Sequence, residues 1–202
     1  MMQRARRSAI GTYGFFQGGF LVDRGVRATE RIAPLDIRID FPTQWPIVLF
    51  ISKRHSGLFG SDEKDAFCKL PDASLAERDE MIDLTRTKIV PGIMSTDYNL
   101  FADGVYEFGH RCGQFFSELQ GGPFNGPLAT SLVSAIRDFG VTAVGQSSWG
   151  PCIFGCARND EQANQLVTHI RNSFDDEIET IVTRADNRGH VINTLESKIS
   201  ES

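Results

Sequence analysis

An α+β fold, an antiparallel sheet with helices packed on one face, is what the sequence predicts. Short β-prone runs stand at 45–51, 141–144, 152–157 and 178–183, and stretches with helical apolar spacing separate them. A loop of hairpin length joins the middle two runs. The order is strand, three helices, two strands, helix, strand. Runs that return through a hairpin, with their helices grouped together, point to an antiparallel sheet and not to a doubly wound parallel one.

Residues 8–25 are dense in glycine and read as β-like, with Gly18-Gly19 forming a bend into Phe20-Leu21-Val22. Trp45-Pro-Ile-Val-Leu-Phe-Ile51 is a continuous apolar run, as in a buried strand. Ser74-Leu-Ala-Glu77 is a capping box that opens a helix with Leu75, Ile82 and Ile89 on one face, interrupted at Pro91. Tyr98, Phe101, Val105, Phe108, Cys112 and Phe115 recur at steps of three and four, and this aromatic stripe reads as core. After Asn125-Gly-Pro127, a third helix points Leu128, Leu132, Ile136 and Phe139 inward and ends at Gly140. Asn159 caps a fourth, carrying Ala163, Val167, Ile170 and Phe174. The final strand is 178–183, and a polar tail from Asp186 reads as loose.

The chain has 202 residues, 41% hydrophobic and 23% charged, which is globular usage. No apolar run reaches the roughly 18 residues of a membrane helix. The basic start, Met1 to Arg7, lacks a following apolar segment and cleavage site, so a cytoplasmic location is expected. With a net charge of −5 and scattered basic residues, nucleic acid is not the expected partner. The four cysteines, Cys68, Cys112, Cys152 and Cys156, lack metal-ligand spacing and read as buried thiols, so no protein metal site is assigned; Cys152 and Cys156 share a strand face, which leaves a zinc or disulfide role open beside core packing. His55, His110, His169 and His190 are scattered and form no triad.

Gly145-Gln146-Ser147-Ser148-Trp149-Gly150-Pro151 is the stretch richest in chemistry. Its two glycines can take positive φ, and two hydroxyls and an amide can donate, a combination suited to phosphate or diphosphate. The alternative is an enlarged hairpin turn whose Ser and Gln cap their own backbone. Trp149 is either core or a flat stacking surface. Gly11 to Gly19 is a second place for close backbone approach, without any phosphate-loop or dinucleotide fingerprint. Arg4, Arg6 and Arg7 offer charge to an anion or form a solvated arm, and Glu63, after the glycine-bearing loop at 57–60, faces either a site or solvent.

Arg7-Ser8-Ala9-Ile10-Gly11, Gly18-Gly19-Phe20, Phe41-Pro42 with Trp45, Gly60 with Glu63 and Phe67, Gln120-Gly121-Gly122 and Gly145 to Pro151 occur in the order found in β-ribofuranosylaminobenzene 5′-phosphate synthases. The chain resembles that family over residues 6–157. These synthases belong to the superfamily of galactokinase, homoserine kinase, mevalonate kinase and phosphomevalonate kinase (GHMP). The resemblance implies a GHMP-kinase-like C-terminal domain plus a remnant of the N-terminal one: 1–42 as the end of the N-terminal domain, 43–185 as the C-terminal domain, 186–202 as the tail. It implies a reaction of phosphoribosyl diphosphate with 4-aminobenzoate, releasing CO2 and diphosphate, in tetrahydromethanopterin biosynthesis and with Mg2+ as helper. Substrate and phosphate binding then fall to Arg7, Ser8, Gly18, Gly19, Gly145, Gln146, Ser147, Ser148, Trp149 and Gly150, with no residue assigned as catalytic.

The chain departs from the superfamily in two ways. Relatives carry roughly one hundred further N-terminal residues with a Pro-x-x-x-Gly-Leu-Gly-Ser type phosphate loop, which these 202 residues lack. Ser8 to Gly19, where the kinases place an acidic catalytic residue, contains no Asp or Glu. An ATP-dependent small-molecule kinase, which the superfamily permits but which needs that phosphate loop and an acidic base, is one alternative; a non-catalytic binding or dimerisation unit, associating as a homodimer through apolar helix faces, is the other.

Overall fold

The computed structural model describes residues 8–26, 30–53, 74–148, 150, 152–174 and 177–192. The chain divides into two compact units, Met1–Phe41 with Ala185–Ser202, and Pro42–Arg184.

In the first unit, α1 (Ile10–Gln17) leads into β1 (Phe20–Asp23), which pairs antiparallel with β2 (Leu35–Ile39). A helix replaces the β-like stretch expected over 8–17. Its start is stabilised from a distance: Asp23 accepts from the Ser8 hydroxyl (2.8 Å) and the Ala9 N–H (3.0 Å), which sets a carboxylate at the helix N-terminus. Local sequence carries no sign of a cap that comes from fourteen residues downstream. Helix α1 lies on β1 near Gly14, where a Cβ would make an ordinary 3.6 Å contact with Leu21 Cδ1. The bend at Gly18 (φ 60°) and Gly19 (φ 78°) forms as expected.

Residues 186–190 are not loose. The Gly19 N–H donates to the Asp186 carbonyl (2.8 Å), the Asn187 side chain exchanges two hydrogen bonds with the Phe41 backbone (2.8 and 3.0 Å), and the His190 N–H reaches the Phe15 carbonyl (2.8 Å). Asn187 thus mimics a strand partner, which composition alone did not suggest. Residues 193–202 of the expected tail lie outside the described residues.

The second unit carries a four-stranded antiparallel sheet ordered β4-β5-β3-β6, from β3 (Ile47–Ser52), β4 (Ala143–Gln146), β5 (Cys152–Cys156) and β6 (Ile178–Thr183). On β3, Val48 and Phe50 are buried, while Ile47, Leu49 and Ile51 are only half-buried, so one face is covered. That face packs on Leu132, Val133 and Ile136 of α6 (Gly126–Asp138) and on Ala163, Leu166 and Ile170 of α7 (Asp160–Phe174). Each fully buried aliphatic side chain there contributes about 1.5–3 kcal/mol. Helix α6 closes as a Schellman turn at Gly140 (φ 103°): the Val141 N–H donates to Ile136 (3.1 Å) and the Gly140 N–H to Arg137 (2.9 Å). Asn159 accepts from the Gln162 N–H (2.9 Å) at the start of α7, as its position predicts.

Helix α2 (Leu75–Leu84) begins at the expected capping box, with Glu77 and Ser74 bonded both ways. Pro91 does not interrupt it. A π-helical turn at Thr85–Ile89 shifts the hydrogen-bond register first, and α3 (Val90–Met94) then carries Pro91 in its opening turn, where no N–H is needed. Helix α4 (Tyr98–Phe115) follows, then the single turn α5 (Ser117–Gln120). Of the stripe on α4 only Tyr98 and Phe101 are buried, against Trp45; the rest is half-buried. Lys88 and Arg111 both bind Glu107 at 2.8 Å, tying α4 to the π turn and holding that carboxyl below its ordinary pKa.

Glycines set how closely α4 packs. A Cβ at Gly113 would lie 1.8 Å from the Pro123 carbonyl oxygen, whereas at Gly109 it would meet only the Gly145 Cα at 3.8 Å. Gly113→Ala is therefore expected to cost about 1–3 kcal/mol or more in urea unfolding. Gly109→Ala should gain up to ~1 kcal/mol from helix propensity. Equal effects of the two substitutions would refute this packing.

Candidate functional site

The 145–151 stretch is the hairpin connection between β4 and β5. Gln146 pairs with Ile153, and the Ser147 N–H closes the turn on the Cys152 carbonyl (2.9 Å). The Gly150 N–H donates to the Ser147 carbonyl (3.0 Å), so two loop amides are spent on the loop's own backbone. Ser148 is left-handed at φ 51° and Gly150 at φ 71°. Ser147 and Ser148 are exposed, which leaves their hydroxyls as the groups facing outward.

Gln146 does not face outward. Its Oε1 accepts from the Asn125 N–H (2.7 Å), and its Nε2 donates to the Ser148 carbonyl (2.9 Å) and to Gln120 Oε1 (3.2 Å). Gln120, 8% exposed, donates its Nε2 to the Gly113 carbonyl (3.1 Å). Gly150 packs over this chain of amides, since a Cβ there would sit 3.3 Å from Asn125 Nδ2 and 3.8 Å from Gln146 Cδ. Gly145 lies under the ring of Phe154, whose Cζ is 2.8 Å from where a Cβ would be. The two glycines thus serve packing, and the self-capped hairpin turn, one of two alternatives open from sequence, describes Gln146 and Gly150.

A cleft of about 20 Å³ lies beside the loop, lined by apolar Leu128, Leu132, Ile153 and Ile178 and by Ser52, Asn125, Gln146 and Gly150. It has room for about one water molecule, so a sugar phosphate or aromatic ring can bind over it but not within it. The lining offers no carboxylate, and no group of three His, Cys, Asp or Glu able to hold a metal occurs among the described residues. By itself this lining offers a Mg2+ ion no charged ligand.

Four expected site residues fall in the first unit, and three of them are described. Ser8 is bound to the Asp23 carboxylate, a neighbour that repels an anion. At Gly18 a Cβ would lie 2.3 Å from the Asp186 carbonyl, and at Gly19 2.6 Å from that of Ile39, so both glycines seat backbone. Ser8 and Gly18 flank opposite ends of α1, an eight-residue helix about 12 Å long. Arg7, Trp149, Pro151, Cys68 and Glu63 with its loop lie outside the described residues. In the sequence Gln120 stands out only as part of a motif and Asn125 only as a helix start; their bonds to Gln146 span 26 and 21 residues. His110, His169 and His190 each stand against an aromatic ring, at 6.1 Å from Phe124, 5.1 Å from Phe139 and 4.4 Å from Phe15.

Cys152 and Cys156 are free thiols roughly 13 Å apart along β5, too far for a disulfide. Burial pushes the Cys156 thiol up to about 12 and that of Cys112 to about 11. Thiolate is the reactive form, and raised pKa values leave little of it at pH 8. Iodoacetamide at that pH should label Cys152 first, Cys112 slowly and Cys156 only once urea unfolds the chain, as read by peptide mass mapping. Labelling of Cys156 at equal rates with and without urea would contradict its burial.

No helix among the described residues is long and apolar enough to cross a membrane. Residues 89–176 match the family model described as GHMP kinases C terminal. The chain is 28% identical over 167 residues to the β-ribofuranosylphenol 5′-phosphate synthase of Methanothermobacter thermautotrophicus, covering 75% of this chain and 48% of that protein. It is 29% identical over 209 residues to the synthase of the same name from Archaeoglobus fulgidus, covering 94% and 61%. It thus spans about half to three fifths of the length of these relatives. In fold it is similar to homoserine kinase from Cytophaga hutchinsonii (TM-score 0.57, 20% identity, 89% of this chain and 52% of that one). Mevalonate diphosphate decarboxylase from Staphylococcus aureus is similar as well (TM-score 0.60, 15% identity, 86% and 54%). The chain is thus similar to β-ribofuranosylphenol 5′-phosphate synthases over most of its length, and its residues 89–176 match the C-terminal domain of GHMP kinases.

Proposed function

We propose that this chain takes part in the transfer of a ribosyl 5′-phosphate group to the ring carbon of a substituted benzoate, with phosphoribosyl diphosphate as donor and 4-aminobenzoate as acceptor, in tetrahydromethanopterin biosynthesis. The observation that carries this is its relation to the two synthases over 75% and 94% of its length. In the reaction, the bond from ribose C1 to diphosphate breaks with its electron pair leaving on diphosphate. The ring carbon bearing the carboxylate supplies the pair for the new C–C bond. CO2 then departs from that carbon and returns its bonding pair to the ring. Because CO2 leaves in place of a proton, the step needs no general base, in accord with a Ser8 to Gly19 segment free of Asp and Glu.

Loss of diphosphate builds positive charge at C1, so the leaving group must be anchored while the ring is held close. The exposed Ser147 and Ser148 hydroxyls are the loop's donors to diphosphate. Trp149 stacks on the ring, and Arg7 pairs the carboxylate or the 5′-phosphate. One observation favours a second acceptor: the relatives' names specify a phenol, which the same bond changes produce from 4-hydroxybenzoate.

Incubation with phosphoribosyl diphosphate and carboxyl-labelled 4-aminobenzoate or 4-hydroxybenzoate should release labelled CO2 in step with diphosphate. Ser147→Ala and Trp149→Ala should each lower kcat/KM, by about 10²-fold for loss of a donor to the leaving group. Unchanged kinetics in both variants would remove the loop from the mechanism. If phosphoribosyl diphosphate at millimolar concentration gives neither heat in calorimetry nor CO2 with either acceptor, the synthase reading fails for this chain.

A further inference from the structure

We propose that Gln120 is a positioning residue for the 145–150 loop, acting through Gln146 without touching ligand; its bearing on catalysis rests on the loop being the binding element proposed above. Two side-chain amides join four separate pieces of backbone here. Gln120 hangs from the α4 carbonyl of Gly113, hands its Oε1 to Gln146, and Gln146 in turn grips the Ser148 carbonyl and the N–H of Asn125 at the head of α6. The direction of the relay is fixed by groups with only one possible role. The Gly113 and Ser148 carbonyls can only accept, and the Asn125 N–H can only donate. Flipping the Gln120 amide would face oxygen against the Gly113 carbonyl and NH2 against the Gln146 NH2, losing both bonds.

Ser148 depends on this relay. It holds a left-handed φ of 51°, which a residue with a Cβ rarely adopts, and its carbonyl is tied to Gln146 Nε2. The direction in which the Ser147 and Ser148 hydroxyls leave the loop therefore follows from where Gln146 is held. Gln146 is half-buried, whereas Gln120 is nearly buried at the end of α5 and followed by left-handed Gly121 (φ 78°). A buried polar side chain with both ends satisfied, bridging a helix carbonyl and a loop side chain, specifies one geometry; half-satisfied, it does not. Gly113 belongs to the same device. Its missing Cβ admits Pro123 to within contact of α4, and its carbonyl anchors Gln120.

Gln120→Met keeps the volume and removes both hydrogen bonds. In the whole chain it should move the backbone amide NMR signals of Ser147, Ser148 and Gly150 and weaken binding of inorganic diphosphate roughly fivefold to tenfold by calorimetry. Unmoved loop signals in a folded Gln120→Met chain would overturn the proposal. Gln120→Glu provides a second arm. Its carboxylate still accepts from Gln146, but only the protonated acid can donate to the Gly113 carbonyl, so the loop signals should titrate with pH. A purely space-filling role gives no such titration, and its absence would also overturn the proposal, including when the Met variant does not fold. If the loop signals move while the unaltered chain binds no diphosphate, the relay stands and the diphosphate reading of the loop fails.

Discussion

Close packing around α4 is the constraint on which the rest of the second unit depends. Three glycines on this one helix each face a different neighbour: Gly104 the π turn, where a Cβ would stand 2.7 Å from Ile89 Cγ1, Gly109 the strand β4 at Gly145, and Gly113 the Pro123 carbonyl. Gly92 reciprocates from α3, with Phe101 N 2.5 Å from its own Cβ position. Each glycine weakens the helix by roughly 0.5–1 kcal/mol relative to alanine. At Gly104 and Gly113 that cost is offset by the close approach of the π turn and of Pro123, whereas at Gly109 the neighbour leaves room for a methyl group. The approach at Gly113 also brings a helix carbonyl within 3.1 Å of Gln120, and so connects helix packing to the shape of the hairpin loop.

Seen this way the loop owes its form to satisfied amides and not to an empty cradle of N–H groups. An anion nest requires successive amides aimed outward. Here the N–H groups of Ser147 and Gly150 are already bonded within the hairpin, and the amide of Gln146 is committed on both ends. Rigid presentation of two hydroxyls remains. Two hydroxyls offer an anion less than the residue types suggested, in one fixed orientation.

Much of the second unit was legible in the sequence because its signals are local. The capping box at Ser74, the Asn159 cap, the Gly140 stop and the strand runs each depend on residues within one turn or one strand of each other, and the structure places them accordingly. What was illegible depends on distant partners. Helix α1 is capped by Asp23, residues 186–190 are held by Phe41 and Phe15, and the hydrogen-bond register is shifted before Pro91 by a π turn packed on α4. The candidate site divides along the same line. The hairpin and its exposed serines follow from the Gly-Gln-Ser-Ser string, whereas the inward turn of Gln146 requires Gln120 and Asn125, 26 and 21 residues earlier. Glycines were the least legible residue type: Gly18, Gly19 and Gly145 suggested ligand approach and in fact admit neighbouring backbone or a ring.

The loop's chemistry also bounds what it can bind unaided. A hydrogen bond to a charged group is worth about 1.5–3 kcal/mol, so two serine hydroxyls supply about 3–6 kcal/mol to a diphosphate. Millimolar affinity corresponds to about 4 kcal/mol, so the loop by itself is a millimolar site at best once the cost of immobilising the ligand is counted. No basic side chain lines the adjoining cleft, and the loop carries no charge of its own. Tighter capture of a diphosphate ester therefore demands positive charge from outside the hairpin. A neutral hairpin can orient such a group through its hydroxyls, and charge is what would hold it tightly.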